Sequence, residues 1–511
     1  MNKNQIPQSE SMIPHIDLEQ YVIDPEIPEL IDVDLAKKYI LIPVKKESDN
    51  LFVAMADPLN IFAIDDLKIT TGLNINPVVA EKQSILDAIE QYYGKETARK
   101  AAEDFYKQYE VKQSLKMDDE TGIDEISHAP VVRLLNSIFR QAIKVKASDI
   151  HIEPFKNYVR IRFRIDGELQ EILSLHIATH SAILTRIKIM GRLNIAEKRI
   201  PQDGRIEANI DGKTIDLRIS TLPTIYGEKA VIRLFDPENF LMDKEQLGFS
   251  DTNLETLKKI IQHSNGMILI TGPAGSGKTT TMYAILREFN HIEKNIVTIE
   301  DPVEYRLDGI NQVQINPKAQ LTFANALRSI LRQDPNIIMV GEIRDAETAQ
   351  IAIRAAITGH IVISTMHTND SPSTIIRLMD MGIEPYLLSS AMIGVISQRL
   401  VRKICPKCKK SYQANEEEKI LLDIRKDCYL YRGIGCAYCN GTGYKGRTAV
   451  QEIMAIREEL RSDIVRHSGI DILRKTAIQQ GMIPLKKACA QLVLSGITTV
   501  QEFLKVAYSI E

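Results

Sequence analysis

Tryptophan is absent from the 511 residues, and aromatic side chains make up only 6% of them. That speaks against a ring that grips single-stranded nucleic acid by stacking bases on aromatic platforms. Net charge is small as well: 64 Lys and Arg against 67 Asp and Glu leave −3, which argues against a dominant, non-specific hold on polyanions. No apolar run reaches the roughly 18 residues of a membrane-spanning helix. The polar start MNKNQIPQSE has no apolar segment of the kind a secretion signal carries. Six cysteines in so long a chain do not make a disulfide scaffold. The expected compartment is the cytosol, and any membrane role would run through partners. What is plentiful is core: hydrophobic residues reach 44%, and the length suits about three domains. No tandem repeat or low-complexity segment stands out.

Along the chain, YILIPV (39–44) and NLFVAMAD (50–57) read as strands, and QSILDAIEQYY (83–93) as a helix. These belong to an expected α+β domain over 1–110. The polar stretch ending in KMDDETGIDEIS predicts a linker at 111–128. A second α+β domain is expected over 129–240. It opens on the amphipathic helix PVVRLLNSIFRQAIKVKA (130–147). It continues with YVRIRFRIDGELQEIL, where Val159, Ile161, Phe163 and Ile165 alternate with Arg160, Arg162 and Arg164 and Asp-Gly marks a hairpin. GRIEANIDGKTIDLRIS (204–220) repeats that pattern. Over 245–404 the apolar strands GMILITG, NIVTIED, NIIMVGE and HIVISTM alternate with helices, the rhythm of a mostly parallel sheet covered on both faces. A four-cysteine segment is expected over 405–449 and a helical tail over 450–511.

GPAGSGKT, Gly272 to Thr279, fits G-x-x-x-x-G-K-[ST] and lies between the apolar strand MILI and a helix-like TTTMYAILREF. Gly272, Gly275 and Gly277 let the backbone turn until several N–H groups face an anion, and a helix start adds partial positive charge. Lys278 suits the β- and γ-phosphates of ATP, and Thr279 suits Mg²⁺. Pro273, Ala274, Ser276 and Thr280 complete the candidate nucleotide contacts. A phosphate-splitting site also needs acids, yet the strand NIIMV ends in Gly341, with Glu342 next. Either the site is dead or its acids come from elsewhere. TIEDPVEYR offers Glu300, Asp301 and Glu304 at the end of a neighbouring strand, where open α/β sheets bind ligands. Glu342, Glu304, Glu300, His360 and His367 are therefore expected to converge near Lys278. A solvated loop position remains open for each acid, and a core position for each histidine.

Cys405-Pro-Lys-Cys408 and Cys436-Ala-Tyr-Cys439 are 27 residues apart. Two such pairs point to a closed, structural Zn²⁺ site with four thiolates; a redox dithiol is the alternative. Cys428 is spare, and Cys489 falls on an amphipathic helix as a core residue.

Taken together these motifs resemble the secretion ATPase superfamily, in its type II secretion and type IV pilus assembly branch. The resemblance covers nearly the whole chain. Gly272–Thr279 matches the Walker A segment, TIEDPVEY the Asp box, LRQDPNIIMVGEIRD (331–345) a Walker B segment with Gly before Glu, and TGHIVISTMHTND (358–370) the His box. The cysteine pairs and GTGYKGRT (441–448) match the metal segment of the assembly branch. The resemblance implies a RecA-like P-loop core preceded by α+β domains, the second of them PAS-like. It implies Glu304 as general base, Glu342 as an acid of the Mg²⁺ site and His367 near the γ-phosphate. It further implies a homohexamer in which Arg205 and Arg218 act on phosphates, an inner-membrane platform protein as partner, and pilin-like subunits moved indirectly. An Arg-Leu-Gly second-messenger motif found in some relatives is missing, which speaks against cyclic-dinucleotide regulation. A ring that translocates nucleic acid and a scaffold that binds nucleotide without cleaving it are the competing classes.

Overall fold

Residues 13–18, 21, 23–24, 26–89, 92–93, 128–210, 213–235 and 242–508 are described in the computed structural model. The expected linker at 111–128 lies outside them except for His128. The chain divides into two compact units, Met1–Phe235 and Asp236–Glu511. Among the described residues no helix is long and apolar enough to cross a membrane.

In the first unit, Asp32 accepts the Asp34 amide and starts helix α1 (Val33–Tyr39). Ile40 ends it in the left-handed region at φ 51°. The strand expected from residue 39 therefore begins later, as β1 (Leu41–Glu47). It pairs antiparallel with β2 (Asn50–Met55), which runs parallel to β3 (Asn74–Val79) after the crossover helix α2 (Ile61–Thr71). Residues 82–89 are helical.

Helix α3 (His128–Lys144) precedes a six-stranded antiparallel sheet of order β6-β5-β4-β9-β8-β7. Its strands are β4 (Asp149–Pro154), β5 (Tyr158–Ile165), β6 (Glu168–His176), β7 (Gln202–Ile210), β8 (Lys213–Thr224) and β9 (Gly227–Phe235), with α4 (Thr179–Met190) after β6. The alternation in β5 works as its period requires. Val159, Ile161 and Phe163 join Leu135, Ile138, Phe139, Ile183 and Ile187 in the core. On the opposite face Arg160 and Arg162 pair with Glu153 at 3.2 and 2.7 Å.

The second unit is built on a seven-stranded sheet of order β12-β11-β13-β14-β10-β15-β18. The strands are β10 (Gly266–Thr271), β11 (Ile296–Glu300), β12 (Asn311–Gln314), β13 (Ile337–Val340), β14 (Ile361–Met366), β15 (Met392–Ile404) and β18 (Tyr444–Ala455). All neighbours run parallel except β15 and β18. Helices α5 (Asp251–Ile261) and α6 (Lys278–Phe289) cover one face. Helices α7 (Phe323–Ile330), α8 (Ala346–Ile357), α9 (Ser371–Asp380) and α10 (Pro385–Ala391) contribute to the core on the other. β10, β13 and β14 are buried at every residue, as a doubly covered sheet demands.

Between β15 and β18 the chain leaves the sheet and forms the hairpin β16 (Lys409–Gln413) and β17 (Tyr429–Gly433), with α11 (Glu416–Leu421) between them. The tail carries α12 (Glu458–Val465), α13 (Ile470–Gln479), α14 (Leu485–Leu494) and α15 (Val500–Tyr508). One expectation needs correcting. Residues 450–455 are not helical but belong to β18, because they hydrogen-bond along β15, from Val450 opposite Arg399 to Ala455 opposite Gly394. The cysteine segment is thus an insertion within a sheet hairpin.

Candidate active site and metal centre

β10 delivers the chain into the loop 272–277, and α6 begins at Lys278. Two glycines are required by close approach. A Cβ on Gly272 (φ 147°) would collide with the Gln398 carbonyl, and one on Gly277 (φ 85°) would lie 2.8 Å from Gln398 Nε2. Gln398, on the next strand, braces the loop: its Nε2 donates to the Ser276 carbonyl at 2.7 Å, and its Oε1 accepts from Thr281 at 2.7 Å. Ser276 is only 3% exposed, and its buried Oγ has no hydrogen-bond partner. Lys278, 9% exposed, turns its Nζ onto the carbonyls of Gly272 (2.7 Å) and Pro273 (3.0 Å). A buried orphan hydroxyl, a lysine folded over its own loop and a helix start at one place fit the phosphates of a nucleotide.

Burial pulls the Lys278 pKa down to about 8, with Glu342 opposing and Arg399 assisting. Glu342 lies just past β13, paired with Arg344 at 2.5 Å and 3.8 Å from His367 Nε2. His367 is pushed below its ordinary pKa by burial and by Lys278, against the pull of Glu342. Lys278, Glu342 and His367 are therefore brought together.

The other expected acids are placed differently. Glu300, 3% exposed, accepts from Tyr283 (2.5 Å), Thr298 (2.6 Å) and Gln312 (3.0 Å), and it is not among the charges acting on Lys278. It braces the end of β11. Glu304 is half-buried on the loop after β11, and the Glu304 and Tyr305 backbones bond to the Tyr283 hydroxyl. Asp301, one residue past β11, is exposed.

His360 corrects an expectation. Gly266 pairs with Ile361, and Thr271 with Met366, so His360 stands at the strand end opposite the phosphate loop. There its Nδ1 meets the Ala355 carbonyl at 3.0 Å. Arg205 and Arg218 are direct partners on β7 and β8 of the first unit. Arg205 is tied to Asp216 at 2.7 Å, and Arg218 sits over the Phe235 ring at 4.1 Å.

Gly341 also has a packing reason. Its amide donates to the Ile299 carbonyl at 2.7 Å, and a Cβ there would stand 3.2 Å from that same oxygen. Gly341→Asp would press its Cβ onto the Ile299 carbonyl and the Glu300 backbone, 3.2 and 3.4 Å away. We expect it to cost about 1–3 kcal/mol, read as a lower midpoint in thermal or urea unfolding; an unchanged midpoint would contradict this packing argument.

Sequence reasoning missed Gln398 and Arg399. The signal available was a polar run, Ser397-Gln398-Arg399, inside an otherwise apolar stretch, all three of which are buried in the sheet.

The four cysteines of the two pairs gather as well, with every Sγ within 4.8 Å of the others. Cys405–Cys436 and Cys408–Cys439 are each 3.8 Å apart and Cys436–Cys439 3.7 Å. A tetrahedron of Zn–S bonds of about 2.3 Å has edges of about 3.8 Å. The amides of Cys436 and Gly443 both point at Cys439 Sγ at 3.2 Å. Burial alone would raise the Cys439 pKa, but these contacts outweigh it and bring it to about 7. Burial instead pushes Cys405 up to about 12. Cys489 is buried in α14, as expected.

Residues 124–505 match the family described as type II/IV secretion system protein, and residues 11–99 match the MshEN domain. The chain is 44% identical over 501 residues to the type IV pilus assembly ATPase PilB of Myxococcus xanthus, covering 96% of this chain and 88% of that one. It is 43% identical to the type II secretion system protein E of Xanthomonas campestris, over 94% and 85% of the two chains. Among solved structures, the ATPase DotB of Legionella pneumophila superposes with a TM-score of 0.54 at 21% identity, over 73% of this chain and 95% of that one, a likeness of fold.

Proposed function

Since the chain belongs to the type II/IV secretion system protein family, we propose that it hydrolyses ATP to drive pilus assembly or protein secretion, working as a homohexamer against an inner-membrane platform. The observation that carries this reading is the meeting of Lys278, Glu342 and His367 beside a strand–loop–helix with a buried orphan hydroxyl. A dead site would leave that convergence without a use.

Lys278 binds the β- and γ-phosphates once they replace the Gly272 and Pro273 carbonyls as its partners. Thr279 and Glu342 are the residues that would hold Mg²⁺, which when bound offsets charge on the phosphate oxygens. Glu304 orients the attacking water and takes its proton. Glu300 acts behind it as a positioning residue, through Tyr283 and Gln312. His367 stands near the terminal phosphate. Arg205 and Arg218 supply further positive charge, held ready by Asp216 and Phe235. The cysteine cluster fits Zn²⁺ in a structural role. Exposed Leu59, Ile61, Phe62 and Ile69 on and beside α2 suit docking of the N-terminal region to the membrane machinery.

Phosphate release by the purified chain, alone and with platform-containing membranes, tests the proposal. The wild type should turn over in the presence of Mg²⁺. Glu304→Gln should slow it about 100-fold with little change in nucleotide affinity. No release under either condition would defeat the ATPase reading; release only with added nucleic acid would favour a translocase.

A further inference from the structure

Resting on the ATPase reading, we infer that Arg474 and Glu452 are positioning residues for the loop that carries His367, so that the C-terminal helices α13 and α14 set its place beside Glu342. The loop 367–370 joins β14 to α9 and is held residue by residue from its core side. The Thr368 amide donates to Thr271 Oγ1, at the end of β10, at 3.1 Å. The Asn369 carbonyl accepts from Arg399 at 2.8 Å. Asp370 caps α9 through the Ser373 amide at 2.8 Å, and its other oxygen takes Arg474 Nη2, from α13, at 2.7 Å. The next amide, Ser371, donates to Glu452 Oε1 at 2.9 Å. The second oxygen of Glu452 accepts the Leu485 amide, the first of α14, at 3.1 Å.

One carboxylate, 3% exposed, thus receives the starts of two helices. Arg399 interacts electrostatically with both Asp370 and Glu452, and its charge also acts on Lys278. The loop's outer side borders an open cleft of about 320 Å³ lined in part by His367, Asn369, Arg377 and Ile470. Space lies outward and restraint lies inward. A shift of α13 or α14 therefore passes to His367 through a short run of charge-assisted bonds, part-buried at Arg474 and buried at Glu452.

The test uses the full chain, with ATP turnover and amide hydrogen exchange read together. Arg474→Met should lower kcat about tenfold or more, with KM changed less than about twofold, because a small misplacement at a reacting centre is costly. Exchange at Thr368–Ser371 should quicken while β10 stays protected. Arg474→Lys should recover most of kcat, since its ammonium can still meet Asp370. Glu452→Gln, which leaves one helix amide without its acceptor, should shift loop exchange in the same direction and serves where Arg474→Met does not fold. Unchanged kcat and loop exchange in these variants would overturn the inference. So would a uniform rise in exchange across the unit, which marks a merely structural role. A wild type without turnover would defeat the ATPase reading instead, and loop exchange would still decide this one.

Discussion

Lys278→Ala should reduce phosphate release about 1,000-fold while the unfolding midpoint holds or rises. The two halves of this result have one cause. Lys278 is buried at the first turn of α6, with its Nζ on the Gly272 and Pro273 carbonyls. Burial drops its pKa from 10.5 to about 8. Between about pH 8 and 10.5 the unfolded chain keeps a proton that the folded chain has released. Stability therefore rises with pH across that window, and below it the charged ammonium opposes folding. Removing the charge removes that cost. The same charge is what a triphosphate needs, since developing negative charge is offset by a cation already in place. Nucleotide affinity of the wild type should accordingly fall as pH rises through about 8, whereas Lys278→Ala should lack that fall. Equilibrium binding of a fluorescent nucleotide from pH 7 to 9.5, beside a phosphate-release assay, measures both. A variant that hydrolyses at wild-type rate would remove Lys278 from the chemistry.

The phosphate loop was legible in the sequence because its requirements are local: eight consecutive residues, with an apolar strand before and a helix after. The alternation of β5 was legible for a similar reason, since one face of its sheet is core and the other carries ion pairs. What failed was long-range. His360 and His367 flank one strand, and both looked able to reach the loop. Six strand residues at about 3.3 Å each span about 20 Å, so flanking residues stand at opposite ends of the strand. Strand β15 hid because Ser397, Gln398 and Arg399 interrupt its apolar run; they are buried to brace the loop, not to fill core. β18 hid because a sheet covered on both faces has no period of two to read. The reason for Gly341 lay outside its own segment, in the carbonyl of Ile299 on the adjacent strand.

A metal held by the four cysteines should be lost, with a large local structural effect, on a single substitution among them. We expect about one zinc per chain by mass spectrometry of purified protein, and Cys405→Ser to lose it and become open to protease within 405–443. The geometry suits a metal and not disulfides: sulfurs 3.7–3.8 Å apart are far beyond the roughly 2.05 Å of a disulfide. The hairpin beyond the knuckles packs Ala414, Leu422 and Leu430 into a core with Leu485, Val493 and Phe503, whereas the knuckles themselves have few other ties. The first knuckle is tied back by the Cys405 amide on the Gly443 carbonyl at 2.9 Å. Gly433 and Gly443 cross so closely that a Cβ on either would strike the other's backbone. Apparent zinc-binding energies of about 10–16 kcal/mol in zinc-finger peptides rival the whole stability of a domain, about 5–15 kcal/mol. The ladder between β15 and β18 is a run of backbone pairs from Gly394–Ala455 to Ile404–Tyr444, most of it remote from the thiolates. Damage should therefore centre on the knuckles and spare the phosphate loop: tryptic cuts inside 405–443 and nucleotide binding kept, with any loosening beyond them falling on α14 and α15, which share a core with the hairpin. Less than half an equivalent of zinc in chelator-free protein, or a Cys405→Ser chain with wild-type protease resistance, would count against the metal. Cuts spreading into β15 and β18 would instead show that the hairpin depends on its insertion.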